Sequence, residues 1–132
     1  MKSTFLEYFE FVAAANNFLQ QHPEESKLKY ALEKVGKLNK NLQTDYQDLC
    51  EDERANHCLK NDKGHFMIDE QGRKCWNPAA DKAYRNAVKA LNDKEIEVKT
   101  WAYDLSQDEF TDEEAKNIFA KFLINEDKLK IQ

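Results

Sequence analysis

All three cysteines and two of the three histidines of this chain fall within residues 50–75, and these residue types are common zinc ligands. They are Cys50, His57, Cys58, His65 and Cys75, in the spacing C-x6-H-C-x6-H-x9-C. Structural zinc sites usually take their four ligands as two short paired spacings. Adjacent helical residues point about 100° apart, so His57 and Cys58 are poorly placed to share one ion. We favour free thiols and no metal, while the zinc alternative stays open.

Carboxylates at helical spacing offer a second chemistry. Glu7 and Glu10 lie in one predicted helix, and Asp45, Asp48 and Glu51 lie in another. If the two helices faced each other, these groups could bind Mg²⁺ as in helical nucleotide pyrophosphatases. A consistent pair of Glu-x-x-Glu/Asp motifs is missing, and helices this charged contain such spacings by chance. We interpret these residues as a solvated face and keep a metal-dependent helical-bundle hydrolase as an alternative.

Sequence motifs for nucleophilic catalysis are absent. No serine lies in a glycine-rich elbow, and the three glycines are too scattered to form a phosphate loop. A pair formed by Cys50 and His57 would be separated by two helical turns. We therefore expect no catalytic residue, no cofactor and no enzymatic activity.

The charge balance bears on the class of partner. The formal net charge is −5, and no dense run of Lys or Arg occurs, which disfavours direct binding to nucleic acid or to a membrane surface. An acidic cluster at Asp108, Glu109, Asp112, Glu113 and Glu114 suggests a decoy for a nucleic-acid-binding enzyme, although acidic residues at a helix start have a simpler explanation in the helix dipole. No apolar stretch is long enough to span a bilayer or to serve as a signal peptide, and we expect a cytoplasmic protein.

Helical patterns dominate the elements that would position these groups. Thr4 and Glu7 form a capping box for a helix over about residues 4–21. A second helical pattern covers residues 24–60. Either the first helix covers its first part and the later helix its second part, or it bends near Gly36 or near residues 51–53. Its apolar seam contains one polar position, Asn39, and continues through the following residues: Leu28, Leu32, Val35, Leu42, Tyr46 and Leu49. Asn77 and Pro78 begin a third helix that ends near residue 92.

Residues 61–77 interrupt the helices and predict a β-hairpin insertion. Gly72 suits the left-handed position of a three-residue loop, which pairs Asp69 with Arg73 and continues by alternation. The remaining predicted pairs are Ile68 with Lys74, Met67 with Cys75, and Phe66 with Trp76. Phe66, Ile68 and Trp76 then share one face of the hairpin. We recognise no internal repeat.

The C-terminal third predicts one strand and one helix. Residues 95–103 alternate strictly, as in a half-buried strand that could join the hairpin in a three-stranded sheet. Thr111 and Glu114 predict a second capping box, for a helix ending near Ile124. Residues 125–132 are expected to form a flexible tail.

The order of these elements resembles that of a group of small phage and prophage proteins. The resemblance covers residues 5–100, through the helix KLKYALEKVGKLNKNLQTDYQDLCEDER, the hairpin GHFMIDEQGRKCW, the helix AADKAYRNAVKALNDK and the strand start EIEV. The motifs are patterns of residue type, and no catalytic residue comes with them. The resemblance implies an accessory protein that acts by binding another protein.

Together these observations predict a mainly α (α+β) fold with a single domain over residues 1–132: a small helical bundle with a β-hairpin and one additional short strand. We expect a non-enzymatic protein-interaction module that binds a host protein or a virion component, with homo-oligomerisation left open. Its partner-binding residues are predicted at the hairpin: Phe66, Ile68, Arg73, Lys74 and Trp76. The hydrolase and the acidic decoy are the alternatives.

Overall fold

The structure is a computed structural model that describes residues 1–124, so the predicted tail at 125–132 lies outside the described residues. The fold is mainly helical with small two-stranded sheets, which confirms the predicted α+β class. Contacts divide the chain into two compact units, one formed by Met1–Lys40 with the chain from Glu95 onward, the other by Asn41–Lys94. The single-domain interpretation stays a prediction. Over the described part of the chain, no helix has the length and apolar character needed to cross a membrane.

The first unit contains most of the elements: β1 (Lys2–Thr4), α1 (Phe5–Gln21), α2 (Lys27–Leu38), β2 (Glu95–Glu97), β3 (Trp101–Ala102), a 3-10 helix (Leu105–Gln107), α5 (Glu113–Phe122) and β4 (Leu123–Ile124). Helix α1 starts as predicted, because the Thr4 hydroxyl accepts a hydrogen bond from the Glu7 backbone N–H at 3.1 Å. The N-cap of α5 is Asp112 rather than Thr111. Its carboxylate accepts hydrogen bonds from the N–H groups of Glu114 and Ala115.

The predicted strand at 95–103 is split into two short strands in different sheets. β2 pairs antiparallel with β1, and β3 pairs parallel with β4. The predicted three-stranded sheet with the hairpin is therefore wrong. Strand β4 also shortens the last helix, which ends at Phe122 rather than near Ile124. Both partner segments lie far away in the sequence, so alternation alone could not identify them.

Aromatic side chains from α1 and α5 form the centre of this unit. The rings of Phe11 and Phe122 lie 4.6 Å apart between centroids, and those of Phe11 and Phe119 lie 6.0 Å apart. All three side chains are almost completely buried. Leu28, Leu32 and Val35 of α2 and Val98 add an aliphatic part to the same core.

The long helix predicted over residues 24–60 is broken at Asn39, close to the expected bend at Gly36. Asn39 is only 5% exposed and has left the helical conformation. Its side-chain amide donates to the Val35 and Lys99 carbonyl oxygens, and its side-chain oxygen accepts from the Lys99 N–H, all at 2.8 Å. Asn39, the polar residue of the predicted seam, therefore links the end of α2 to the segment after β2 through hydrogen bonds.

The second unit contains α3 (Lys40–His57) and α4 (Pro78–Asn92), joined by the hairpin region. Helix α4 begins as predicted, with the Asn77 side chain accepting from the Ala80 N–H at 2.8 Å. Tyr46 of α3 donates a hydrogen bond to the Asn92 side-chain oxygen of α4 at 2.6 Å. The predicted seam is not buried in α3, where no residue is fully buried. Cys58 is the fully buried residue of this unit.

Candidate protein-binding surface

Residues 59–76 contain two successive turns of the same kind, and we call this segment the double hairpin. The Asn61 side-chain oxygen accepts hydrogen bonds from the backbone N–H groups two and four residues later, both at 3.0 Å. The Asp69 carboxylate does the same in the second turn, both at 2.9 Å. Gly64 and Gly72 each follow three residues later, with φ values of 79° and 78°. Both turns need glycine because these angles are left-handed.

The two turns belong to an eight-residue repeat, so the absence of a repeat inferred from the sequence is wrong. Residues 61–68 are NDKGHFMI and residues 69–76 are DEQGRKCW. The copies share Asn or Asp at the first position, an acidic residue at the second, glycine at the fourth and apolar residues at the last two. Only the glycine is identical, which is why the similarity becomes visible through the shared hydrogen bonds.

Three residues at eight-residue spacing hold the double hairpin together. The Leu59 N–H donates to the Cys75 oxygen at 3.0 Å, the Cys75 N–H to the Met67 oxygen at 2.9 Å, and the Met67 N–H to the Leu59 oxygen at 2.9 Å. These bonds close a ring of three backbone segments. An isolated two-stranded hairpin is marginal in water, and this third segment supplies additional pairing.

The predicted register is confirmed near the second turn and wrong farther from it. The Asp69 N–H donates to the Arg73 oxygen at 2.8 Å, and Ile68 pairs with Lys74. Phe66, however, pairs with Lys60 of the first turn instead of Trp76. The prediction assumed a single hairpin around Gly72. An additional turn, which contains Gly64, precedes Phe66 and brings it opposite Lys60.

Three consecutive large apolar side chains are exposed on the middle segment of the double hairpin. The exposed fractions are 43% for Phe66, 44% for Met67 and 60% for Ile68. Three other large apolar residues in the described chain are exposed, and they are scattered: Met1, Leu6 and Tyr30. In this extended segment Phe66 and Ile68 lie on one face and Met67 on the other. Single exposed apolar residues are normal, but several neighbouring ones mark a candidate interaction site.

Lysines border this apolar group. The Lys60 and Lys74 ammonium nitrogens lie 5.8 and 5.3 Å from the centre of the Phe66 ring, within reach of a cation–π interaction. Lys60 also donates to the Asn56 carbonyl oxygen at 3.2 Å. Within residues 1–124, neither lysine has a carboxylate within salt-bridge distance. The face therefore combines an aromatic ring with unneutralised positive charge.

The other two predicted binding residues are arranged differently. Arg73 forms an ion pair with Asp69 at 3.2 Å, and the pKa of the Asp69 carboxyl lies below its ordinary value because the Arg73 and Gln71 N–H groups donate to it. Trp76 is half-buried against Tyr84, with ring centroids 5.2 Å apart. Trp76 therefore anchors the double hairpin to α4.

An open groove of about 610 Å³ runs between α3 and the second turn. Its charged lining contains two ion pairs, Arg54 with Glu51 at 2.6 Å and Arg73 with Asp69, together with Lys74, which has no carboxylate within salt-bridge distance in residues 1–124. Hydrogen bonding to Tyr84 is the main cause that raises the pKa of Arg54.

The candidate metal residues do not converge in the part of the chain that the structure describes. No group of three or more His, Cys, Asp or Glu side chains there could hold a metal ion. Cys50, Cys58 and Cys75 are free thiols, and His57 pairs with Glu53 at 3.1 Å. His65 is exposed in the first turn.

The acidic cluster has structural partners. Asp108 accepts a hydrogen bond from the Tyr103 hydroxyl at 2.6 Å, and burial together with this bond raises the pKa of Tyr103. Asp112 caps α5, and Glu113 and Glu114 occupy its first turn. These positions fit the helix dipole and need no partner.

Sequence analysis missed Lys60 and Met67 as members of the candidate surface. Lys60 lies just before the first turn and Met67 in the apolar pair that ends the first copy of the repeat. The two copies share only one identical residue, which is too weak a signal to identify either position from the sequence. Comparisons with protein families, with curated proteins and with solved structures find no match to this chain.

Proposed function

We propose that this protein is a non-enzymatic protein-interaction module whose binding surface is the exposed face of the double hairpin. The observation that carries the proposal is the run of exposed side chains at Phe66, Met67 and Ile68, bordered by Lys60 and Lys74. Exposed aromatic and apolar groups with adjacent positive charge are typical of interface anchors. The resemblance to phage and prophage proteins supports an accessory protein acting on a host or virion protein in the cytoplasm.

The turns and backbone hydrogen bonds that hold this surface in place also support the proposal. Two side-chain-stabilised turns, two left-handed glycines and a ring of backbone hydrogen bonds fix a segment whose own apolar residues point outward. Pre-ordering reduces the entropy that a binding segment loses on association.

Affinity capture with matched variants tests the proposal. Ile68→Ser removes an exposed apolar group from the double hairpin, and Leu6→Ser does the same on α1, where the side chain is also exposed. Wild type and Leu6→Ser should retain the same partner from a lysate of the source organism. Ile68→Ser should lose affinity by about tenfold or more, equivalent to about 1.4 kcal/mol, with an unchanged melting temperature.

Equal capture by Ile68→Ser would reject the double hairpin as the binding surface. If removing charge at Asp108 or Glu109 alone abolishes capture, the acidic-decoy function replaces the proposal. Turnover of nucleoside triphosphates in the presence of Mg²⁺, lost on changing Glu7 or Asp48, would instead support the hydrolase.

A further inference from the structure

The middle segment of the double hairpin has one free edge. In an extended chain, the N–H and C=O groups of successive residues point to opposite sides. Met67 uses its N–H for Leu59 and its C=O for Cys75, so both neighbouring segments lie on the same side of it. The backbone groups of Phe66 and Ile68 must then point to the other side.

No hydrogen bond from the described chain reaches the backbone on that side. The N–H and C=O groups of Phe66 and Ile68 make no hydrogen bond to any residue within 1–124. Both residues are exposed, with exposed fractions of 43% and 60%. We call residues 66–68 the open edge.

An open edge is a template for another strand unless the fold blocks it. Folds commonly protect edges by keeping the edge strand short, with charged residues, with proline or with bulges. This edge is short, but residues 66–68 contain no proline and no charged residue and instead carry three apolar side chains. The two turns that flank the segment keep it extended and accessible.

The charges that extend toward this edge indicate what kind of strand fits. Lys60 and Lys74 lie on the two segments on the opposite side of residues 66–68 from the open edge. They are the cross-strand partners of Phe66 and Ile68, so their side chains lie on the same face as these residues. Both ammonium groups reach over the Phe66 ring, and no carboxylate of residues 1–124 lies within salt-bridge distance of either. Acidic side chains on an added strand would complement them. A second copy of this edge would instead bring lysines toward lysines.

We propose that the open edge binds an extended acidic segment of a partner protein by strand addition, with backbone hydrogen bonds to Phe66 and Ile68 and carboxylates facing Lys60 and Lys74. This inference rests on the proposed function and specifies its mode of recognition and the chemistry of the partner. Main-chain pairing would provide the attachment, and the apolar and basic side chains would provide selectivity.

Synthetic peptides test the inference on the full-length protein. The probe is a peptide of alternating Glu and Val. Its analogue carries N-methyl groups on the backbone nitrogens that would face the edge, and a third peptide alternates Lys and Val. Binding is followed by NMR through the backbone amides of residues 66–68.

In the free protein, the Phe66 and Ile68 amides should exchange rapidly with solvent and the Met67 amide slowly. The Glu-Val peptide should shift the Phe66 and Ile68 amides and slow their exchange. N-methylation should weaken this binding by about tenfold or more, and the Lys-Val peptide should bind more weakly than the Glu-Val peptide. Changing Lys60 and Lys74 together to Glu should reverse the charge preference, whereas the same change at the exposed Lys82 and Lys89 of α4 should not.

Each contrary result has a distinct meaning. Equal binding of the N-methylated peptide would overturn strand addition, as would unchanged Phe66 and Ile68 amides at millimolar Glu-Val peptide. Equal binding of the Lys-Val peptide would overturn the acidic partner, and self-association that protects the same amides would identify a second copy as the occupant. The proposed function is tested separately, since partner capture that depends on Ile68 survives any of these results.

Discussion

Replacing Asn39 by alanine should destabilise the first unit more than any other exchange of a single polar side chain for alanine. The side chain makes three hydrogen bonds of 2.8 Å, one to the Val35 carbonyl and two to the Lys99 backbone. In the alanine variant, the Val35 carbonyl oxygen would still accept the hydrogen bond from the backbone N–H of residue 39, which is 3.2 Å long in the structure. The Lys99 N–H and C=O would lose the partners that they have in the structure.

The size of the effect follows from these two orphaned groups. An unsatisfied buried backbone group costs about 1–3 kcal/mol, and Lys99 is exposed enough for water to replace part of the loss. Taking the lower end for each of the two groups, we expect about 2 kcal/mol of lost unfolding free energy. Asn39→Asp keeps the acceptor and loses both donors, so it should be destabilising as well.

Urea unfolding of wild type, Asn39→Ala and Asn41→Ala measures this prediction. Asn41 is exposed at the start of α3 and is the matched control, with an expected change within about 0.5 kcal/mol. If Asn39→Ala is no less stable than Asn41→Ala, the tie to Lys99 does not explain the break between α2 and α3.

Three further predictions concern other particular residues. The pKa of Asp69 is lowered in the folded protein, so the ionised carboxylate stabilises its turn at pH values above the ordinary carboxyl pKa. This stabilisation is lost as the pH falls through the pKa of Asp69 in the folded state. On acidification, the NMR shifts of the backbone amides in the Asp69 turn should change, whereas those of the Asn61 turn should not. Gly72→Ala should lower the free energy of unfolding by about 1–2 kcal/mol because the φ of Gly72 is 78°. Gly36→Ala in α2 should raise it by about 0.4–1 kcal/mol. An added Cβ meets no atom within 4 Å at either site, so thermal unfolding of the two variants compares backbone effects alone. Cys58→Ser should lower stability by about 1–3 kcal/mol in urea titrations without loss of the fold, because the change places a hydroxyl in a buried thiol site.

Local signals in the sequence were sufficient for much of the fold. The caps at Thr4 and Asn77 and the left-handed Gly72 are confirmed, because each depends on residues within one turn of the chain. A bend near Gly36 was one of the alternatives left open by the sequence, whereas the observed break lies at Asn39 and depends on Lys99, which is 60 residues away. Periodicity cannot specify such a partner.

The same distinction applies to the candidate surface. Alternation predicted that Phe66 and Ile68 share one face of the hairpin, which is a local property of a strand. The structure shows that both side chains are exposed, with the Lys74 ammonium group 5.3 Å from the centre of the Phe66 ring. The predicted pairing of Phe66 with Trp76 was wrong, because the first turn, which contains Gly64, brings Phe66 opposite Lys60. A one-residue identity between two repeat copies was too weak to reveal that turn beforehand.

The central claim is that a protein partner contacts the double hairpin, and hydrogen exchange of the complete chain with and without its captured partner tests it most directly. The account predicts that the partner slows exchange at the Phe66 and Ile68 amides, with little change in α1 or α5. Protection confined to the acidic residues near Asp108 and Asp112, with the Phe66 and Ile68 amides still exchanging freely, would contradict it.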